Sequence, residues 1–153
     1  MTTVAFDGKM LVADSRACAG NTTRRVRKIF RLKNGNLFGC SGEYDSGLKA
    51  REWLDTDGEK PAKPSLHESF AALLVTPEGC FRLEPALIRS PIAEPFAAVG
   101  SGRDFAIAAM HLGKTAREAL EVALLFDANT GGPIDVMMLA SEPALRLVET
   151  SID

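Results

Sequence analysis

No stretch of this chain holds the ~20 consecutive apolar residues that a membrane-spanning helix needs, so no such helix is expected. Cysteine is scarce. Cys18, Cys40 and Cys80 are odd in number and show no CxxC spacing, which argues for reduced thiols rather than a disulfide framework. The two histidines, His67 and His111, sit in unrelated segments without metal-ligand spacing, and no metal or organic cofactor is expected. Neither sign of charge dominates: a net charge of -2 gives no reason to expect nucleic acid or an anionic membrane as partner. The start, MTTVAFDGK, lacks the basic-then-apolar build of a secretory signal, so the cytoplasm is the expected location.

What is present suits one soluble domain. With 153 residues, 46% of them hydrophobic, the chain can bury a sizeable core. No repeat or domain boundary interrupts residues 1–153. Three hairpins are expected. Val4–Phe6 and Met10–Ala13 flank Asp7-Gly8; Lys28–Leu32 and Leu37–Cys40 flank Lys33-Asn34-Gly35-Asn36; Ala72–Val75 and Cys80–Leu83 flank Pro77-Glu78-Gly79. Helices are expected over Glu43–Leu54, Gly102–Leu112 and Ala116–Phe126, the last opened by a Thr115/Glu118 capping box. Residues 55–65 read as a loop, and Asp135–Ala140 and Ala144–Val148 as closing strands. This order predicts an α+β fold of two antiparallel sheets packed face to face, with helices outside.

The hairpins bring chemistry to the N-terminus. A two-residue Asp7-Gly8 turn sets Thr2 opposite Ala13, with Asp14 one step beyond. A two-residue Asn34-Gly35 turn sets Lys28 opposite Ser41, beside the Gly39–Gly42 backbone. A bulge shifts either register by one. These are the parts of an N-terminal nucleophile. A threonine hydroxyl needs a base, and a free α-amine, with an ordinary pKa of about 7.7–8.0, can supply one. The Lys28 ammonium favours the alkoxide, Asp14 aims Lys28, and glycine-rich backbone N–H groups can receive an oxyanion.

The blocks Thr2-Thr3-Val4, LVADSRA (Leu11–Ala17), NTTRRVRKIFRL (Asn21–Leu32), FGCSGEYD (Phe38–Asp45), AAVGSGRDFA (Ala97–Ala106) and DANTGGPIDVMML (Asp127–Leu139) occur in one order. In that order they resemble the proteasome β-subunit and HslV family of N-terminal-nucleophile (Ntn) threonine peptidases. The resemblance implies a four-layer αββα Ntn-hydrolase sandwich and peptide-bond cleavage through an acyl-enzyme on Thr2, exposed by loss of Met1. It places the catalytic acid on Asp14, the lysine on Lys28 and the oxyanion glycine on Gly39. Ser101, Asp127 and Thr130 become the supporting polar residues, with Thr130 standing where serine is common. Ala17, Val26, Phe30, Leu37 and Ser41 would border the pocket for the residue before the cut, whose mostly apolar walls favour apolar side chains. Peptides or unfolded proteins are the implied substrates, a homo-oligomeric ring the implied assembly, and an unfolding ATPase the implied partner. The segment 43–70 is much shorter than the pair of long helices the family places there. Two other readings stay open: a non-catalytic ring subunit of the same fold, or a small-molecule Ntn amidohydrolase.

Other features invite blander explanations. Arg24, Arg25, Arg27, Lys28, Arg31 and Lys33 form a basic run, but Val26, Ile29, Phe30 and Leu32 interleave it without a series of aromatics for base stacking. A solvated strand face or a subunit contact fits better than a nucleic-acid patch. Gly100-Ser101-Gly102 matches neither a dinucleotide fingerprint nor a Gly-x-Ser-x-Gly elbow, since Val99 and Arg103 occupy the outer glycine positions of the latter. Cys40 reads as a small core residue.

Overall fold

A computed structural model describes residues 2–56 and 62–139. The strand expected over Ala144–Val148, the end of the one expected over Asp135–Ala140 and part of the 55–65 loop lie outside the described residues. The strands are β1 (Thr3–Phe6), β2 (Met10–Ala13), β3 (Arg16–Ala19), β4 (Thr22–Arg25), β5 (Ile29–Arg31) and β6 (Leu37–Ser41). After helix α1 (Tyr44–Leu54) come β7 (Ala71–Thr76), β8 (Gly79–Leu83), β9 (Ser90–Pro91) and β10 (Ala97–Gly100). Helices α2 (Arg103–His111) and α3 (Ala116–Phe126) precede β11 (Asp135–Met138).

All described strand pairs are antiparallel. One sheet runs β10-β1-β2-β11, another β5-β6-β7-β8-β9, and β3-β4 form a separate two-stranded ribbon. Strand alternation distributes the apolar residues. Val4, Leu11 and Val99 of the four-stranded sheet meet Ile29, Leu37, Leu73 and Val75 of the five-stranded one in a buried cluster. The opposite face of the first sheet, with Ala5, Val12 and Ala98, packs on Ala106, Ala109, Ala116 and Leu120 of α2 and α3. The opposite face of the second, with Phe38, Cys40 and Leu74, lies under Ala50 and Leu54 of α1. Gly47 permits that approach, because a Cβ there would lie 2.5 Å from the Cys40 sulfur.

The three helices begin and end within a residue of their expected bounds. Thr115 caps α3 as its spacing demanded, accepting from the Glu118 N–H while the Glu118 carboxylate accepts from Thr115 N–H. The short β9 and two longer local structures escaped the sequence. The β3–β4 ribbon turns at Gly20-Asn21 without an alternating apolar pattern, since β4 is exposed throughout. β10 is a four-residue strand of mostly small side chains, too short for a periodic signal.

Candidate active site

The first hairpin differs in register from its expected form. Its turn is Gly8-Lys9 rather than Asp7-Gly8, so Val4 pairs with Ala13 and Asp14 stands opposite Thr3. Two local features decide this. Gly8 adopts φ +96°, which suits the first position of such a turn, and the Asp7 carboxylate accepts from the N–H groups of Lys9 and Met10 at 2.9 Å each. Asp14 still ends beside the N-terminus. Its backbone N–H donates to Thr3 O (3.3 Å), and its Oδ1 accepts from Thr3 N–H (3.0 Å).

Asp14 is fully buried. Its second oxygen, Oδ2, accepts from Lys28 Nζ at 3.0 Å and from Gly131 N–H at 3.0 Å. Lys28 is itself only 4% exposed. Two charges removed from water in this way persist because each is paired and the remaining acceptor sites are filled. Lys28 immediately precedes β5, Asp14 immediately follows β2, and Gly131 lies in the loop before β11, so the pair ties the two sheets together.

A second set of polar groups approaches Thr2 from the β10 side. Thr2 N–H donates to Ser101 Oγ at 3.2 Å, and Ser101 Oγ donates to Asp127 Oδ2 at 2.6 Å. Thr130 Oγ1 donates to the same Asp127 oxygen at 2.5 Å. With its proton committed there, Thr130 accepts from Thr3 Oγ1 at 2.7 Å. Burial pushes the Asp127 carboxyl up. The hydrogen bonds from Ser101, Thr130 and the Asn129 N–H outweigh that, and its pKa lies below the ordinary 3.8. Glycines make room for the set. A Cβ on Gly100, at φ +103°, would strike the Thr2 carbonyl, and one on Gly102 would strike the Thr3 hydroxyl.

The β5–β6 hairpin is also displaced by one residue from expectation. Its loop has three residues, Lys33-Asn34-Gly35, closed by Leu32 N–H to Asn36 O (2.8 Å), with Gly35 at φ +92°. Ile29 therefore pairs with Gly39, and Lys28 O accepts from Cys40 N–H at 3.0 Å. A one-residue slip moves every side chain to the other face. Gly39 accordingly faces the core between the sheets, where a Cβ would lie 2.6 Å from Val4 Cγ1. It does not border Thr2. Cys40 and Gly42 border the Thr2 cavity instead.

The cavity that Thr2 opens into has a volume of about 270 Å³. Of the residues expected to wall it, Ala17 and Val26 do so, beside Lys28, Cys40, Tyr44 and Asn129. Phe30 and Leu37 do not: both are core side chains, on opposite faces of the five-stranded sheet. Ser41 lines a neighbouring cleft and donates to Ala71 O at 3.1 Å. The walls are less apolar than expected, since Arg16 and Glu43 also reach them. Burial, opposed by Lys28, pushes the Cys40 thiol up to about 12, so Cys40 holds no thiolate at neutral pH.

The geometry can be set beside known structures. Over 92% of this chain and 99% of the other, the fold superposes on a crystal structure of eukaryotic HslV from Trypanosoma brucei with a TM-score of 0.71 at 20% identity. The chain has an HslV-like fold. BPH of Thiobacillus denitrificans is also similar, with a TM-score of 0.67 at 20% identity over 92% of this chain and 100% of that one. The same protein in complex with epoxomicin gives a TM-score of 0.63 at 18% identity, covering 92% and 99%. No protein-family model and no curated protein matches the sequence. Within this HslV-like fold the chemistry rests on the chain's own residues.

Several members of the site were not singled out from the sequence. Thr3 donates its N–H to Asp14 and its hydroxyl to Thr130, which joins the two polar sets through one residue. Gly131 supplies a third donor to Asp14, and Arg16 Nη2 holds the 127–131 loop through Ala128 O at 2.9 Å. The second of two adjacent threonines and the Gly131-Gly132 pair were the available signals. The basic run disperses: Arg24, Arg25, Arg27 and Lys33 are exposed, Lys28 is buried, and Arg25 pairs with Asp135 at 2.8 Å. No described helix is long and apolar enough to cross a membrane.

Proposed function

We propose that this protein is a threonine-type hydrolase of peptide bonds, with Thr2 as nucleophile once Met1 is removed. One observation carries the reading. Thr2 sits between a buried Asp14–Lys28 ion pair and a Ser101–Asp127–Thr130 hydrogen-bonded set, on the wall of a cavity of about 270 Å³. The reading takes α1, the two sheets and the α2–α3 pair as the four layers of an αββα Ntn hydrolase, supported by three separate apolar clusters.

Loss of Met1 turns the Thr2 N–H, already aimed at Ser101, into a free amine. That amine takes the Thr2 hydroxyl proton as Oγ1 attacks the substrate carbonyl carbon. Lys28 stabilises the developing alkoxide, and Asp14 positions Lys28. Collapse of the tetrahedral intermediate breaks the C–N bond, and the ammonium returns the proton to the leaving nitrogen. A water activated by the same amine then frees the acyl group. The Gly42 N–H, rather than that of Gly39, supplies an oxyanion donor in this proposal, since Cys40 N–H is taken by Lys28 O, and such a donor contributes about 3–4 kcal/mol in comparable sites. Activity rises with pH to a plateau as the amine deprotonates, near its ordinary pKa of about 7.7–8.0.

Self-association belongs to the same proposal, supported by the exposed Phe105, Leu112, Leu125 and Phe126 on α2 and α3, and sedimentation velocity tests it. An unfolding ATPase as partner rests on the family resemblance alone, and stimulation of casein degradation by added ATPase tests it. The nucleophile is tested by intact mass before and after a peptide epoxyketone, which reacts through both a threonine hydroxyl and its free α-amine. The expected result is loss of Met1 followed by one adduct per chain, absent in Thr2→Ala. A processed chain that takes no adduct overturns the reading in favour of a non-catalytic subunit.

A further inference from the structure

A second, larger cleft of about 600 Å³ adjoins the Thr2 cavity. Gly42 and Glu43 border both spaces and form the ridge between them. Thr2 and Lys28 lie on the small-cavity side, whereas Gly100 and Ser101 lie on the cleft side. From this arrangement we infer that the cleft receives the leaving-group half of the substrate and selects Lys or Arg just beyond the cut. The inference rests on the hydrolase reading of Thr2.

The direction follows from where the proton must go. Oγ1 of Thr2 forms the new bond to the carbonyl carbon, and the C–N bond breaks. The departing nitrogen must then collect the proton held by the Thr2 amine. That amine is hydrogen-bonded to Ser101 Oγ at 3.2 Å, on the wall of the larger cleft. The acyl carbon stays with Lys28 and the small cavity, so the amine product leaves past Ser101.

The charge of the cleft decides what suits it. Glu43, Glu68 and Glu84 line it, as do Arg82 and Arg103. Arg82 Nε is spent on Glu84 Oε2 at 3.0 Å. Arg103 donates to Gly100 O at 3.2 Å and lies 3.9 Å from Asp104, outside the cleft lining. His67 Nδ1 is occupied by Ser69, accepting from its N–H at 3.1 Å. Glu43 and Glu68 remain, both exposed and neither in a described salt bridge. The cleft therefore sets three carboxylates against two guanidiniums, with Glu43 and Glu68 unpaired within it, and a basic side chain supplies the missing cation.

The test uses internally quenched peptides that share one acyl half and carry Lys, Gln or Glu at the first two positions beyond the cut, with the cut located by mass spectrometry. At low salt, kcat/KM for the Lys peptide is expected to exceed that for the Glu peptide by about 3- to 10-fold, the range of exposed charge pairs. The ratio is expected to shrink as ionic strength rises. In E43Q/E68Q it is expected to fall to within about twofold of unity. Equal rates for the three peptides, a preference for Glu, or a Lys preference that survives E43Q/E68Q overturns the inference. An epoxyketone occupies only the acyl side. An adduct without a Lys preference therefore sinks this inference alone, whereas a processed chain that takes no adduct sinks both readings.

Discussion

The Asp14–Lys28 pair and the Asp127–Ser101 pair flank the N-terminal strand from opposite neighbours, β2 and β10, yet they differ in surroundings. The first pair is almost wholly buried, with side chains 0% and 5% exposed. In the second, Asp127 is half-buried and Ser101 is exposed. A buried pair cannot exchange a lost partner for water, so removal of either member leaves a charge stranded in low dielectric. An exposed pair loses little more than its hydrogen bonds. Under the proposed function, the inner pair fixes charge and sheet geometry, and the outer one orients the amine.

The largest effect is expected for Asp14→Ala. It strands Lys28 and also removes the acceptor for Thr3 N–H and Gly131 N–H. A loss of about 3–5 kcal/mol is expected, lowering Tm by roughly 6–20 °C for a chain of this size, as read by thermal unfolding. Lys28→Met combined with Asp14→Asn sharpens the point: stability should return towards wild type while epoxyketone reactivity stays abolished. A double variant as unstable as Asp14→Ala would show that the charges themselves hold the sheets together.

Gly102→Ala comes next, since its methyl would strike the Thr3 hydroxyl and crowd Thr130 Oγ1 at 3.1 Å. A cost of about 1–3 kcal/mol is expected, from overpacking, and urea unfolding would detect it. Ser101→Ala should cost only about 1 kcal/mol of stability, typical of one hydrogen bond. It is expected to slow adduct formation with a peptide epoxyketone by roughly ten-fold or more, a general base's usual share being larger still. A stability loss matching that of Asp14→Ala would erase the distinction between the two pairs.

The smallest effect concerns acid. Because the folded pKa of Asp127 lies below its ordinary 3.8, its ionised form stabilises the fold above that value. This contribution disappears as the pH falls through the folded pKa. Asp127→Asn should flatten that part of the stability profile, leaving the curve above about pH 5 parallel to wild type. Denaturant melts between about pH 2 and pH 6 would read it.

Much of the site was legible because its chemistry is carried by unusual residue types at element ends. A carboxylate closing an apolar strand (Asp14), a lysine opening one (Lys28) and a threonine beside the terminus each stand out against their neighbours. The same holds for the helices, whose caps and stripes are local. Register was less legible. Both turns that reach the site were misplaced: the first moved its pairing by two positions and the second by one. The first shift was harmless, since Asp14 still reaches the N-terminus. The second moved the residue opposite Lys28 from Ser41 to Cys40, and the roles that the resemblance gave Gly39, Phe30 and Leu37 fell on residues that face the core.

The sequence by itself therefore determined the α+β class, the capped helices and the set of polar residues that meet at Thr2. Each depends on periodicity, turn chemistry or residue type within a few positions. Only the tertiary structure decided which backbone groups border Thr2, and that Thr3 links the two polar sets. It also decided that a second cleft opens beyond Ser101. These depend on strand register and on contacts between residues about a hundred positions apart, such as Thr2 with Ser101 and Thr3 with Thr130. A one-residue slip of a strand reverses which of its side chains meet the site, because successive side chains on a strand face opposite ways.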